Sequence, residues 1–178
     1  MNIFVPKRYV PTSLNLSDKK QQKSELRKSR KLYKKGIYHT RKKVKSFKNK
    51  KSNHIINARK IYGIDKVKIN KSLSKKTGCS VTGLRKIQKK GEGAYFSSGS
   101  RPNQTGTSWG VARLASSITG GKASMVDYGI LEKYCKKNSK ALKLANKTMR
   151  RGKSNKKNAS KKKMYTRIGQ RRVKKVKI

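Results

Sequence analysis

The chain has 178 residues, with 52 Lys or Arg against 6 Asp or Glu, a formal charge of +46 at neutral pH and a hydrophobic content of only 32%. Such a balance excludes a chain packed throughout as an ordinary globular protein, because like charges repel within the roughly 8 Å Debye length of physiological salt. It excludes a membrane span too: the uncharged run from Ala115 to Gly121 is broken by Ser116, Ser117, Thr119 and two glycines, where a bilayer needs about 20 apolar residues.

The charge is unevenly placed. Residues 1–90 hold 29 Lys or Arg against Asp18, Glu25 and Asp65, and residues 133–178 hold 20 against none. Between them, residues 91–132 are a neutral island in which Arg101, Arg113 and Lys122 balance Glu92, Asp127 and Glu132. The contrast predicts one part built to fold and flanks built to hold a polyanion. With one duplex charge per about 1.7 Å, 46 positive charges match roughly 78 Å of DNA, several times what a reader of one short site needs.

In chain order, residues 1–52 are expected to form a basic N-terminal arm, extended at Val5-Pro6 and Val10-Pro11 because proline and the residue before it disfavour helix. Within it Asp18, with Gln21 three residues on, predicts a helix over 18–35 that stops at Gly36. Residues 40–52 are a basic run with Val44 and Phe47 interleaved, either a groove-tracking segment or a solvated one. Asn53 is expected to cap a short amphipathic helix ended by Gly63, and with it a small, mainly helical domain over 53–148.

The stretch 70–89 has the spacing of a helix-turn-helix. Leu73 packs from the first helix, Gly78 takes the turn, Ser80 caps the second, and Leu84 and Ile87 face inward. Thr82, Arg85, Lys86 and Lys89 then point at a groove or its phosphates, unless the two helices meet at the glycine for packing alone. Gly83 counts against a recognition helix, at about 1 kcal/mol relative to Ala.

Residues 93–108 read as an unusual loop of small hydroxyl residues, glycines and amides feeding a helix N-terminus. Ser98, Ser100, Arg101 and Thr107 are its candidate anion or partner contacts; the alternative is an ordered loop that bonds its own backbone, with Arg101 clamping an acid. Thr107 or Ser108 starts a helix through Leu114 and Ile118 to the Gly120-Gly121 stop, and Ser124 with Asp127 suggests a capping box for the next. A last helix follows Ser139. Residues 149–178, rich in Lys161, Lys162, Lys163, Arg171 and Arg172, form a basic C-terminal tail.

Catalytic patterns fail. Around Gly120-Gly121-Lys122-Ala123-Ser124 the phosphate-loop spacing is wrong, since Ser116 stands where a glycine belongs and Ala123 follows the lysine. No nucleophile elbow surrounds Ser97, Ser98 or Ser100. His39, His54, Cys79 and Cys135 lack the close pairing of a zinc site, so neither metal nor cofactor is expected, and both cysteines read as reduced, buried thiols. Tyr95, Phe96 and Trp109 read as core, whereas Tyr9, Tyr33, Tyr38 and Phe47 among lysines are the better base-stacking candidates.

The blocks Lys7-Arg8-Tyr9-Val10-Pro11, 40–48, Lys76-Thr77-Gly78-Cys79, Ser98-Gly99-Ser100-Arg101-Pro102-Asn103-Gln104-Thr105, Ser108-Trp109-Gly110 and 112–116 resemble a small lysine-rich protein of nucleocytoplasmic large DNA viruses, including algal and amoebal giant viruses. The resemblance spans about residues 7–148. It implies a viral origin and a place in the virion, with host cytoplasm or nucleus during assembly, and brings no assigned function or site residues.

The expected fold class is therefore mainly α, a small helical domain with long basic, extended or disordered N- and C-terminal arms. The expected function is non-enzymatic binding of nucleic acid, double-stranded DNA above all, by phosphate neutralisation in genome packaging. Its candidate contacts are Arg41, Lys42, Lys43, Lys45, Lys48, Arg85, Lys86, Lys89, Arg150, Arg151, Lys161, Lys162, Lys163, Arg171 and Arg172. The alternatives are an internal minor capsid protein whose arms thread between acidic capsid subunits, and a helix-turn-helix regulator.

Overall fold

A computed structural model describes residues 4–49, 51–153 and 175–178. The fold is mainly helical. In chain order come β1 (Phe4–Pro6), a 3-10 turn at Lys7–Tyr9, α1 (Leu16–Tyr33), α2 (Asn53–Tyr62), α3 (Lys71–Thr77), α4 (Val81–Ser98), α5 (Gly106–Ile118), α6 (Lys122–Val126), α7 (Tyr128–Tyr134), α8 (Lys140–Lys153) and β2 (Lys175–Lys177). Among these, no helix is long and apolar enough to cross a membrane.

The described residues fall into two units, and their borders differ from the arm, domain and tail read from the charge pattern. The first contains residues 4–49, 92–109 and 175–178; the second contains 51–91 and 110–153. Both α4 and α5 run from one unit into the other, so the neutral island 91–132 is divided between them.

In the first unit, residues expected to trail as an arm are folded. Val5, Tyr9, Val10 and Leu26 are buried together with Ile178, and Trp109 and Val176 pack against them. The last residues return as a strand: Phe4 pairs with Lys177 and Pro6 with Lys175, antiparallel. Sparse apolar residues thus suffice because they come from three distant parts of the chain and share one small core. Helix α1 starts earlier than expected, capped by Asn15, whose Oδ1 accepts from the Asp18 N–H at 2.7 Å. Asp18 itself is consequently free of capping duty.

The second unit has the larger core, built from Ala58, Tyr62, Leu73, Leu84, Ile87, Leu114, Ala115, Ile118, Leu131, Ala141 and Ala145. Helix α2 ends at Gly63 in a left-handed conformation. The Ser124–Asp127 capping box does not form: the Ser124 hydroxyl donates to the Gly121 carbonyl at 2.7 Å, and Asp127 makes no side-chain cap. Instead both Asp127 oxygens take the Arg113 guanidinium, at 2.9 and 2.7 Å, while the Lys90 ammonium lies 2.9 Å away and Ser117 Oγ donates at 2.7 Å.

The cysteines correct a further expectation. Cys79 and Cys135 are joined in a disulfide rather than reduced. The turn after α3 and the segment after α7 pair as a single antiparallel bridge, with Ser80 N–H donating to the Tyr134 carbonyl at 2.8 Å and Lys136 N–H to Gly78 at 2.9 Å. That local pairing brings together side chains 56 residues apart in sequence, and the cross-link narrows the unfolded ensemble.

Candidate nucleic-acid interface

In the first unit the basic segment 39–48 is neither helix nor strand, yet its backbone is held along its length. His39 Nε2 lies 2.9 Å from Glu25 Oε2, which also accepts the Lys42 N–H at 3.0 Å. The Arg41 N–H donates to Tyr95 Oη at 3.2 Å, and Gln21 Nε2 donates to the Lys43 carbonyl at 3.1 Å. Asn103 takes Val44 on both sides, accepting its N–H at 2.8 Å and donating to its carbonyl at 2.9 Å. Asp18 Oδ2 accepts from the Ser46 N–H at 2.7 Å and from its hydroxyl at 2.6 Å.

Side chains from elsewhere thus do for this segment what a neighbouring strand would do, and buried Val44 anchors it. Lys42, Lys43, Lys45 and Lys48 are left exposed. Since the backbone is already tied at Arg41, Lys42, Lys43, Val44 and Ser46, the lysines can meet phosphate without the segment first having to be ordered.

Two acids make this possible. The Ser46 hydroxyl and N–H hold the Asp18 carboxyl below its ordinary value. Burial pushes Glu25 up, but the Lys42 N–H and His39 outweigh it and leave Glu25 lowered as well. A lowered folded value means stabilisation present above the unfolded carboxylate value of about 4 and lost as pH falls through the folded one. At neutral pH both ties are therefore intact.

Arg41 differs from its neighbours. Expected as a phosphate contact, it is buried, donating to Ser29 Oγ at 3.0 Å, the Tyr95 carbonyl at 3.0 Å and Ser100 Oγ at 2.6 Å. Its guanidinium carbon sits 3.6 Å from the centre of the Tyr95 ring, a cation–π contact of about 2 kcal/mol when desolvated. Burial lowers its proton affinity from the ordinary value. It is an internal fastener, and the interleaved Val44 carried no hint of this.

The loop expected over 93–108 is shorter than it read, because α4 continues through Gly91 and Gly93 to Ser98. What remains, 99–105, is the clamp on 39–48. Ser100 is buried on Arg41 and donates to the Arg101 carbonyl at 2.7 Å. Asn103 adopts a left-handed conformation, φ 57°, which asparagine tolerates better than most residues. Thr105 and Ser108 exchange reciprocal hydrogen bonds of 3.1 and 3.0 Å at the start of α5. Ser98, Arg101 and Thr107 are exposed while Ser100 faces inward, so these four candidate anion contacts do not gather round one point.

The second unit contains the helix pair read from 70–89. Asn70 caps α3 through the Leu73 N–H at 2.8 Å, Gly78 turns the chain at φ 72°, and Ser80 Oγ accepts the Gly83 N–H at 3.1 Å. Leu73, Leu84 and Ile87 are buried. On the opposite face of α4 lie exposed Thr82, Arg85, Lys86 and Lys89, and Lys86 Nζ rests 5.0 Å from the centre of the Tyr134 ring. That contact, a hydrogen bond first of all, lowers the Tyr134 hydroxyl from its ordinary value.

Gly83, which weakened the case for a recognition helix, has a packing reason. A Cβ there would overlap the Tyr134 side chain, so the helix accepts glycine in exchange for close approach to α7. Gly83→Ala should therefore destabilise the chain by about 1–3 kcal/mol in urea unfolding, overpacking outweighing the gain in helix propensity. A stabilised variant would show that the approach is not tight.

A third basic surface lies on α8, where Lys143, Asn146, Lys147, Arg150 and Arg151 line a groove, opposite buried Ala141, Leu142, Ala145 and Met149. The Tyr128 hydroxyl donates to Asn146 Oδ1 at 2.6 Å. Lys161, Lys162, Lys163, Arg171 and Arg172 lie outside the described residues. Among the aromatic candidates, Tyr9 is buried, Tyr33 and Phe47 are half-buried, and Tyr38 is exposed.

No curated protein and no solved structure matches the chain. The model of a family of unknown function, DUF5824, matches residues 6–129. The match takes in the 39–48 segment, its clamp at 99–105 and the α3–α4 pair, and on its extent this chain belongs to the family of unknown function DUF5824.

Proposed function

We propose that the chain is a non-enzymatic nucleic-acid-binding protein of a virus particle, neutralising duplex phosphates in genome packaging. The observation that carries this reading is the placement of the acids. Asp18, Glu25 and Asp127 are buried and consumed by the 39–48 segment or by Arg113 and Lys90. The solvent-facing charge is thus more one-sided than the composition itself, and the acids spent inside position the cations outside. Long-range attraction to a polyanion follows, and with it salt-sensitive binding indifferent to base order. The resemblance to basic proteins of large DNA viruses supports the particle as its place.

The exposed face of α4 favours a second reading, a regulator that inserts this helix in a major groove. The two separate in a competition among unrelated duplexes at fixed salt. A packaging protein should bind all of them within about tenfold, whereas a regulator should prefer one site by about 10³ or more. A preference of that size overturns the packaging reading. Fractionation with the shell rather than the genome of disrupted particles would point to acidic capsid subunits as partner instead.

A further inference from the structure

We infer that Tyr38 is a stacking platform for an unpaired base, so that the first unit takes single-stranded nucleic acid beside its lysines. The inference rests on the nucleic-acid reading above and adds an unpaired strand to the duplex as a ligand of this unit.

Tyr38 is 68% exposed and adjoins Ile37 at 51%. Isolated exposed apolar residues need no explanation, but this ring is supported from below. Its centre lies 5.1 Å from Phe96 and 6.0 Å from Tyr33, at interplanar angles of 71° and 68°. Phe96 in turn meets Tyr95 at 4.9 Å, and Tyr95 is fully buried. The series of rings leads from the core to water. Both ring contacts of Tyr38 are edge-to-face rather than stacked, and with the residue 68% exposed the ring keeps open area on which a base can lie.

The charge around it selects the occupant. Lys34 and Lys35 precede the ring and Lys42 and Lys43 follow it, all exposed, while Glu25, the nearest acid in this stretch of sequence, is buried against His39 and the Lys42 N–H. An apolar partner would have to desolvate these lysines, whereas a strand supplies phosphates for them and a base for the ring. Duplex bases are covered above and below by their neighbours; only an unpaired base offers its face.

The test titrates the full chain with oligothymidylate, oligouridylate and a duplex of equal length at one salt concentration. Tyr38→Ala should weaken both single strands about tenfold, leave the duplex within about twofold, and be restored by Tyr38→Phe, which keeps the ring. A loss on one single strand alone would still support the platform and assign it to DNA or to RNA. An equal loss on strand and duplex, or none on either strand, overturns the platform while leaving the nucleic-acid reading in place. A wild-type chain that binds none of the three at low salt overturns both.

Discussion

Asp127→Ala should lower the unfolding free energy of the second unit by about 3 kcal/mol, the lower end of the range for breaking a buried ion pair. The carboxylate is 0% exposed at its side chain, whereas Arg113 is 20% and Lys90 43% exposed. Removing the acid strips Arg113 of two charge-assisted hydrogen bonds and Ser117 of its acceptor. The guanidinium keeps partial access to water, which limits the loss. Lys90→Met removes a partner that is nearly half in solvent and should cost about 1 kcal/mol or less.

The hub ties α4, through Lys90, and α5, through Arg113 and Ser117, to the junction between α6 and α7. Urea unfolding of the full chain, with hydrogen exchange read at α5 to α7, checks both variants. An Asp127→Ala chain within about 1 kcal/mol of the parent would show that α4 is held by its apolar face alone.

The contrast between the two units explains what could be read from the sequence. Asn70, Gly78, Ser80, Leu84 and Ile87 lie within 18 residues of one another and obey local rules of capping, turning and helical spacing, so the α3–α4 pair was legible. The 39–48 segment obeys no local rule. Its partners Asp18, Glu25, Tyr95 and Asn103 lie between 14 and 59 residues away, and a run of lysines looks the same in sequence whether its backbone is tied or loose. The same distance concealed the Cys79–Cys135 bridge and the return of β2 to β1. Arg41 was misassigned for a related reason: nothing in Arg41-Lys42-Lys43 separates the one inward cation from the two outward ones until Ser29, Tyr95 and Ser100 are placed around it.

Replacing Lys42, Lys43, Lys45 and Lys48 together by Gln should make the salt dependence of duplex binding shallower by about 3.6, since each neutralised phosphate contributes about 0.9 to the slope. Between 50 and 200 mM salt, the affinity gap between parent and variant should then close by about 150-fold. The prediction depends on all four side chains facing solvent from one tied backbone. A disordered run would engage only some of them at a time, because each contact would have to offset the entropy of ordering the segment.

Loosening the ties without removing charge separates these effects. Asp18→Asn with Glu25→Gln keeps every lysine, so cation number predicts an unchanged slope, while the need to order 39–48 on binding predicts lower affinity at every salt concentration. If the lysine variant keeps the parental slope, the 39–48 segment is not the phosphate surface, and the contacts fall to the remaining candidate cations on α4, on α8 or at Lys161, Lys162, Lys163, Arg171 and Arg172. If the acid variant loses slope as well as affinity, the buried carboxylates set how many lysines reach the phosphates, and the interface is built from the inside by its two anions.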